Sequence, residues 1–202
     1  MTKFVAITMR VDDVLSYRER RDAIDQNWYD FITECGYTPI LLPNKLTVVK
    51  ELLSSIQLSG IILSGGNSLV KYDGDAPERD EIERYCIKFA ETVKVPLIGV
   101  CRGMQVIADY YENNLVNIPN HVAVKHQIVD ANNIERTVNS YHNMGIESIK
   151  SPLRINAQSK DGSIESISHT IFQIIGIMWH PERETPFELE DINLFSNFFK
   201  NK

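Results

Sequence analysis

The chain has 202 residues, 43% of them hydrophobic and 24% charged, which is the size of one compact domain and the composition of a soluble globular protein rather than a disordered one. A net charge of −6 argues against a nucleic-acid or anionic-membrane partner, because either would need a basic face. The N-terminal apolar run, Phe4 to Ile7, is too short for a signal-peptide core, and no window approaches a membrane span. Three cysteines (Cys35, Cys86 and Cys101) at uneven spacing do not form a disulfide framework, so a reducing cytoplasm is expected.

In chain order, FVAIT (4–8) is a buried-strand run. A long helix is expected next, through Arg20, Ile24, Trp28, Phe31 and Ile32, stopped by Gly36. TPILLP (38–43) is a strand closed by Pro43, a short helix covers 46–54, and GIILSGG (60–66) is an apolar strand ending in two glycines. Asp75-Ala76-Pro77-Glu78 starts a helix, with Asp75 as cap and Pro tolerated in the first turn. Ile82, Tyr85, Cys86, Phe89, Ala90 and Val93 then form its core stripe. VPLIGV (95–100) is the next strand, and a helix follows Cys101 to about Tyr111.

Strands alternating with helices predict an α/β fold with a mostly parallel central sheet and helices on both faces. Beyond residue 114 the pattern changes to short strands at 122–129, 134–138, 153–158, 164–168 and 172–177, with turns at Asn132-Asn133 and Asp161-Gly162. These predict an additional antiparallel region, closed by an amphipathic helix over 188–199. No linker or repeat interrupts residues 1–202, and one domain is expected.

Chemistry concentrates in GVCRGMQ (99–105). A G-x-nucleophile-x-G corner between strand and helix exposes its central side chain at the carboxyl end of the sheet, where ligand sites form. There the helix dipole favours the thiolate of Cys101, and the backbone N–H of Arg102 points where an oxyanion would develop. Cys35 and Cys86 fit the ordinary case of a small buried residue.

A cysteine nucleophile needs a base and a group that orients the base. Of His121, His126, His142, His169 and His180, only His180 ends a strongly apolar strand, in IIGIMWHPE (174–182), with Pro181 stiffening the turn and Glu182 within reach of the imidazole. The acidic run 73–83 is expected to be a solvated loop and helix cap, and no His or Cys spacing suggests zinc.

GVCRGMQ, the WHPE ending and the upstream SGGNS (64–68), in that arrangement, resemble the class I glutamine amidotransferase superfamily over nearly the whole chain. The resemblance implies that family's flavodoxin-like fold, with Cys101 as nucleophile, His180 as base and acid, and Glu182 as its orienter. It further implies an oxyanion hole from the N–H groups of Gly66 and Arg102, with glutamyl contacts from Gln105 and from the backbone around Ser140, Tyr141 and His142. No cofactor and no metal is implied.

Two branches are open. One is a glutaminase subunit that supplies ammonia to a partner synthase. The other is a free-standing hydrolase of γ-glutamyl amides, resembling the peptidase C26 type, and it is favoured by the opening that runs from Arg10 to GYTPILLP, by Glu78-Arg79-Asp80, and by NSYHNMG (139–145). Arg10 and Arg79 become substrate contacts in that reading, although each also fits a solvated charge. Asn143 and Met144 stand where this branch has His-Gln, which bears on the leaving group. Among short members the chain resembles the γ-glutamyl-CDP-amidate hydrolases of capsule phosphoramidate synthesis. The expected partner is thus a small γ-glutamyl substrate, nucleotide-linked in that reading. No P-loop or G-x-G-x-x-G is present, and only Arg10, Arg18, Arg79, Arg102 and Lys125 offer charge to a phosphate. A homodimer is an allowed arrangement.

Overall fold

A computed structural model describes residues 3–200. In chain order the strands are β1 (Phe4–Thr8), β2 (Arg10–Val14), β3 (Glu19–Ala23), β4 (Thr38–Leu42), β5 (Leu58–Leu63), β6 (Leu97–Val100), β7 (Leu115–Asn117), β8 (Val122–Asp130), β9 (Glu135–Tyr141), β10 (Met144–Ile146), β11 (Leu153–Ser159), β12 (Ile164–His169) and β13 (Ile174–Ile177). The helices are α1 (Asn27–Glu34), α2 (Leu46–Ser55), α3 (Pro77–Val93), α4 (Arg102–Tyr110) and α5 (Leu189–Lys200).

The main sheet runs β4-β1-β5-β6-β13-β12-β11-β8-β9. Its first five strands are parallel neighbours and the rest pair antiparallel. The parallel half is apolar on both faces because helices cover both. Alternation along the strands divides the core accordingly: Ala6, Ile61, Leu63 and Leu97 pack on one side with residues of α2, α3 and α4. Val5, Ile7, Ile62, Ile98 and Val100 pack on the other with Trp28, Phe31, Phe195 and Phe199 of α1 and α5. This is the expected α/β architecture, antiparallel extension included. No helix among the described residues is long and apolar enough to cross a membrane.

Three expectations need correction. Residues 10–23 form an antiparallel hairpin, β2–β3, and only 27–34 are helical. The i, i+4, i+8 spacing of Arg20, Ile24 and Trp28 mimicked a helix, but long-range bonds decide the segment. Val11 N–H donates to Asn67 Oδ1 (2.9 Å), Asn67 Nδ2 donates to Val11 O (2.9 Å), and Arg20 binds Asp13 (2.9 Å) and Glu78. At the start of α3 the cap position is Ala76 without a side-chain bond, and Asp75 instead offers its carbonyl to Arg20. The acidic run is not all solvated either: Glu83 is fully buried between two arginines. The paired strands β7 and β10 were not foreseen, since three residues each give no periodicity to read.

Candidate active site

Strands β6 and β13 are parallel neighbours, in register from Ile174–Leu97 to Ile177–Val100, so Cys101 and His180 leave the sheet at the same edge. Cys101 has φ 51° and ψ −105°, a conformation a side chain rarely adopts, and its N–H donates to Ile177 O (2.7 Å). Both flanking glycines are required by contact. A Cβ on Gly103 would lie 2.1 Å from Leu63 O, and one on Gly99 would lie 2.5 Å from the Gly103 backbone. Helix α4 therefore starts hard against the sheet and aims its N-terminus at the sulfur's surroundings.

His180 is 2% exposed, and its Nδ1 lies 2.7 Å from Glu182 Oε1 across the 3-10 turn 181–183. Because the carboxylate can only accept, Nδ1 carries the proton and Nε2 is left to face the cleft. Burial by itself would lower the His180 pKa. The charge and hydrogen bond of Cys101, joined by Glu182, outweigh burial and raise it to about 9. Burial pushes the Cys35 thiol up to about 12, and drives Cys86 up as well.

Asn139, the first residue of NSYHNMG, clamps the His180 backbone from both sides. Its Nδ2 donates to His180 O (2.8 Å) and its Oδ1 accepts from His180 N–H (2.8 Å). Only the NSYHNMG pattern could have pointed to it.

The cleft has two chambers that meet at Gly66, His180 and Arg183. One, of about 230 Å³, is lined by Cys101, Arg102, Gln105, Tyr141 and His142. The other, of about 280 Å³, is lined by Arg10, Asp12, Asp25 and Trp28. The β2–β3 hairpin thus walls the second chamber. Gln105 Nε2 donates to Met144 O (2.9 Å), which ties the floor of the first chamber to the 141–144 segment. Tyr141 stands edge-on to His180 (5.7 Å between ring centroids), and the guanidinium of Arg183 lies 4.3 Å over the Tyr141 ring. Arg183, also unforeseen, places a cation where the chambers join.

Two expected substrate contacts are turned away. Ser140 is fully buried, and its hydroxyl donates to His121 O (2.6 Å). Arg79 is fully buried and spends its guanidinium on the loop before the hairpin contact: on Ser64 O (2.7 Å), Gly65 O (2.9 Å), Gly66 O and Asn67 Oδ1 (3.1 Å), besides Glu83 (3.0 Å). It shapes the 64–67 loop and does not line the cleft. The Arg102 side chain likewise points inward to Glu83 and Asp80, leaving only its backbone for the cleft. Burial pulls Arg79 down to about 10. Glu83, which burial alone would raise, is held below the ordinary carboxylate range by Arg102 and Arg79. Lys125 is exposed and paired with Glu184 (2.8 Å).

A second cluster was not legible from spacing: His121, His142 and Glu165 converge, all buried. Zinc had not been expected, because no close His or Cys spacing appears.

The model of the class I glutamine amidotransferase family matches residues 19–202. The chain is similar to the γ-glutamyl-CDP-amidate hydrolase of Campylobacter jejuni, at 32% identity over 97% of both chains. It is also similar to the γ-glutamyl-γ-aminobutyrate hydrolase of Escherichia coli O157:H7, at 26% over 79% of this chain and 78% of that one. A solved structure from Thermoplasma acidophilum, described as one of the subunits of a GMP synthase, shares the fold, with a TM-score of 0.74 at 19% identity over 99% of this chain and 94% of that one. A cysteine elbow beside a histidine–carboxylate pair, on this sheet and over this length, leaves one conclusion: the chain belongs to the class I glutamine amidotransferase family.

Proposed function

We propose that the protein is a self-sufficient hydrolase of γ-glutamyl amides and that its preferred leaving group is nucleotide-linked, as in γ-glutamyl-CDP-amidate. The observation that carries the hydrolysis is the convergence of Cys101 and the His180–Glu182 pair on one cleft that continues past the imidazole into a second chamber.

In this mechanism the Cys101 thiolate attacks the γ-carbonyl carbon, and the oxyanion is received by the N–H groups of Gly66 and Arg102. His180, as imidazolium, gives its Nε2 proton to the departing nitrogen, the C–N bond breaks, and a γ-glutamyl thioester remains. Water then donates a proton to His180 and attacks the thioester, the C–S bond breaks, and glutamate leaves. Glu182 holds the imidazole in the productive tautomer throughout. The glutamyl portion occupies the Cys101 chamber with Gln105 and the backbone at Tyr141 and His142. The leaving group lies in the Arg10 chamber, where Arg10 and Arg183 supply charge for a phosphate-bearing amide. The likeness to the Campylobacter jejuni hydrolase supports this substrate.

A substrate panel separates the possibilities. The chain is incubated alone with γ-glutamyl-CDP-amidate, γ-glutamyl-γ-aminobutyrate and glutamine, and products are measured by mass spectrometry. The nucleotide substrate is expected to be hydrolysed fastest, and Arg183→Ala should raise its KM by roughly tenfold, the loss of one charged contact, with little change for glutamine. Fastest turnover of γ-glutamyl-γ-aminobutyrate would overturn the nucleotide preference alone. Glutamine turnover that needs an added synthase would instead establish the ammonia-supplying role. Glutamate release from no substrate would reject hydrolysis.

A further inference from the structure

Behind the wall of the first chamber, three side chains from separate segments point their ligand atoms at one another. His121 lies before β8, His142 follows β9, and Glu165 sits on β12. The distances are 3.4 Å from His121 Nδ1 to His142 Nε2, 3.5 Å from His121 Nδ1 to Glu165 Oε1, and 3.6 Å from His142 Nε2 to Glu165 Oε1. They form a nearly equilateral triangle. A point about 2.0 Å from all three atoms exists, which is the bond length of zinc to imidazole nitrogen and carboxylate oxygen.

The hydrogen bonds on the far side of each ring fix the tautomers. His142 Nδ1 is 3.1 Å from Met144 O, a carbonyl that can only accept, so Nδ1 holds the proton and Nε2 presents a lone pair. His121 Nε2 is 2.8 Å from Asp161 Oδ2, so that nitrogen donates and Nδ1 presents a lone pair. Glu165 is fully buried, and neither of its oxygens has a hydrogen-bond partner among the described residues. In those tautomers three lone pairs converge, and a buried carboxylate without a hydrogen-bond partner is costly. A cation satisfies all three at once. The outer bonds are those that orient zinc-bound histidines, one to a carboxylate and one to a backbone carbonyl.

We propose that His121, His142 and Glu165 bind a structural zinc ion. His126 stands beside Glu165, with Nε2 3.5 Å from Oε2 and no hydrogen-bond partner, available as a donor to the second carboxylate oxygen. A cavity of about 500 Å³ opens on His121 and His126 and provides an entry path. The ion would pin the 139–144 segment, which carries Asn139 and lines the Cys101 chamber, to β12. It takes no part in the thioester chemistry.

The test loads the purified 202-residue chain with zinc, dialyses it against metal-free buffer, and measures zinc by mass spectrometry alongside the melting temperature. About one zinc per folded chain is expected, with a higher melting temperature than the chelator-treated protein. Cys101→Ala should keep that zinc, whereas Glu165→Gln and, nearer the surface, His121→Asn should lose it. If folded wild-type protein retains no zinc, the cluster is a protonated imidazole network and the proposal falls. It also falls if the zinc leaves with Cys101→Ala, which would place the ion at the nucleophile, or if a folded Glu165→Gln or His121→Asn variant keeps it.

Discussion

The charge state of His180 follows from its two neighbours, the Cys101 sulfur and the Glu182 carboxylate, acting against burial. Its folded pKa of about 9 lies above the ordinary 6.5, so the protonated form is the one the fold favours. The stabilisation is complete below the unfolded value, near pH 6.5, and is lost as pH rises through about 9. In the proposed mechanism the proton that His180 gives to the leaving nitrogen is lost over the same range. We therefore expect kcat/KM to fall above about pH 9, and NMR titration of Cys101→Ala should show the His180 pKa lowered, because the largest raising contribution has gone. An unchanged His180 titration in that variant would mean that the sulfur and the imidazole do not interact. At this scale the sequence was informative. The corner between Gly99 and Gly103 and the His180–Glu182 pair are local patterns, and local patterns can be read. Asn139 and Arg183 could not be singled out, because their roles depend on where β9 and the 181–183 turn meet in space.

Among the elements, α3 has the least expected role. Its Arg79, Asp80 and Glu83 look like a solvated face, yet they form a buried ionic knot with Arg102 of α4 and Thr8 of β1, whose hydroxyl donates to Glu83 (2.8 Å). Through Arg79 the knot fixes the 64–67 loop, and through Arg102 the start of α4, so the two segments proposed to supply the oxyanion N–H groups share one anchor. Glu83→Gln leaves two buried guanidiniums short of charge and should destabilise the protein by about 3–5 kcal/mol, measured by denaturant unfolding. A change below 1 kcal/mol would show that the knot is solvated in solution. The hairpin β2–β3 was misread for a related reason: Asn67 and Glu78, more than fifty residues away, hold it, and helical spacing of a few side chains says nothing about such partners.

Across the whole molecule, the parallel half of the sheet was legible because its strands are apolar runs separated by helices, and the antiparallel half because of its turns. What distance hides is the pairing of non-adjacent segments. The order β6-β13 brings residues 101 and 180 to one edge, and the loops after β9 and before β8 bring His142 to His121 beside Glu165. The account rests on a covalent bond forming at one sulfur of this assembled cleft. The direct measurement is intact-protein and peptide mass spectrometry after rapid acid quench of wild-type enzyme turning over a γ-glutamyl amide. The predicted result is a single γ-glutamyl group attached to Cys101, absent from Cys101→Ala, which should also lose about 10⁴-fold or more of the turnover. Glutamate released at the wild-type rate by Cys101→Ala, or an adduct on Cys35 or Cys86 in place of Cys101, would contradict it.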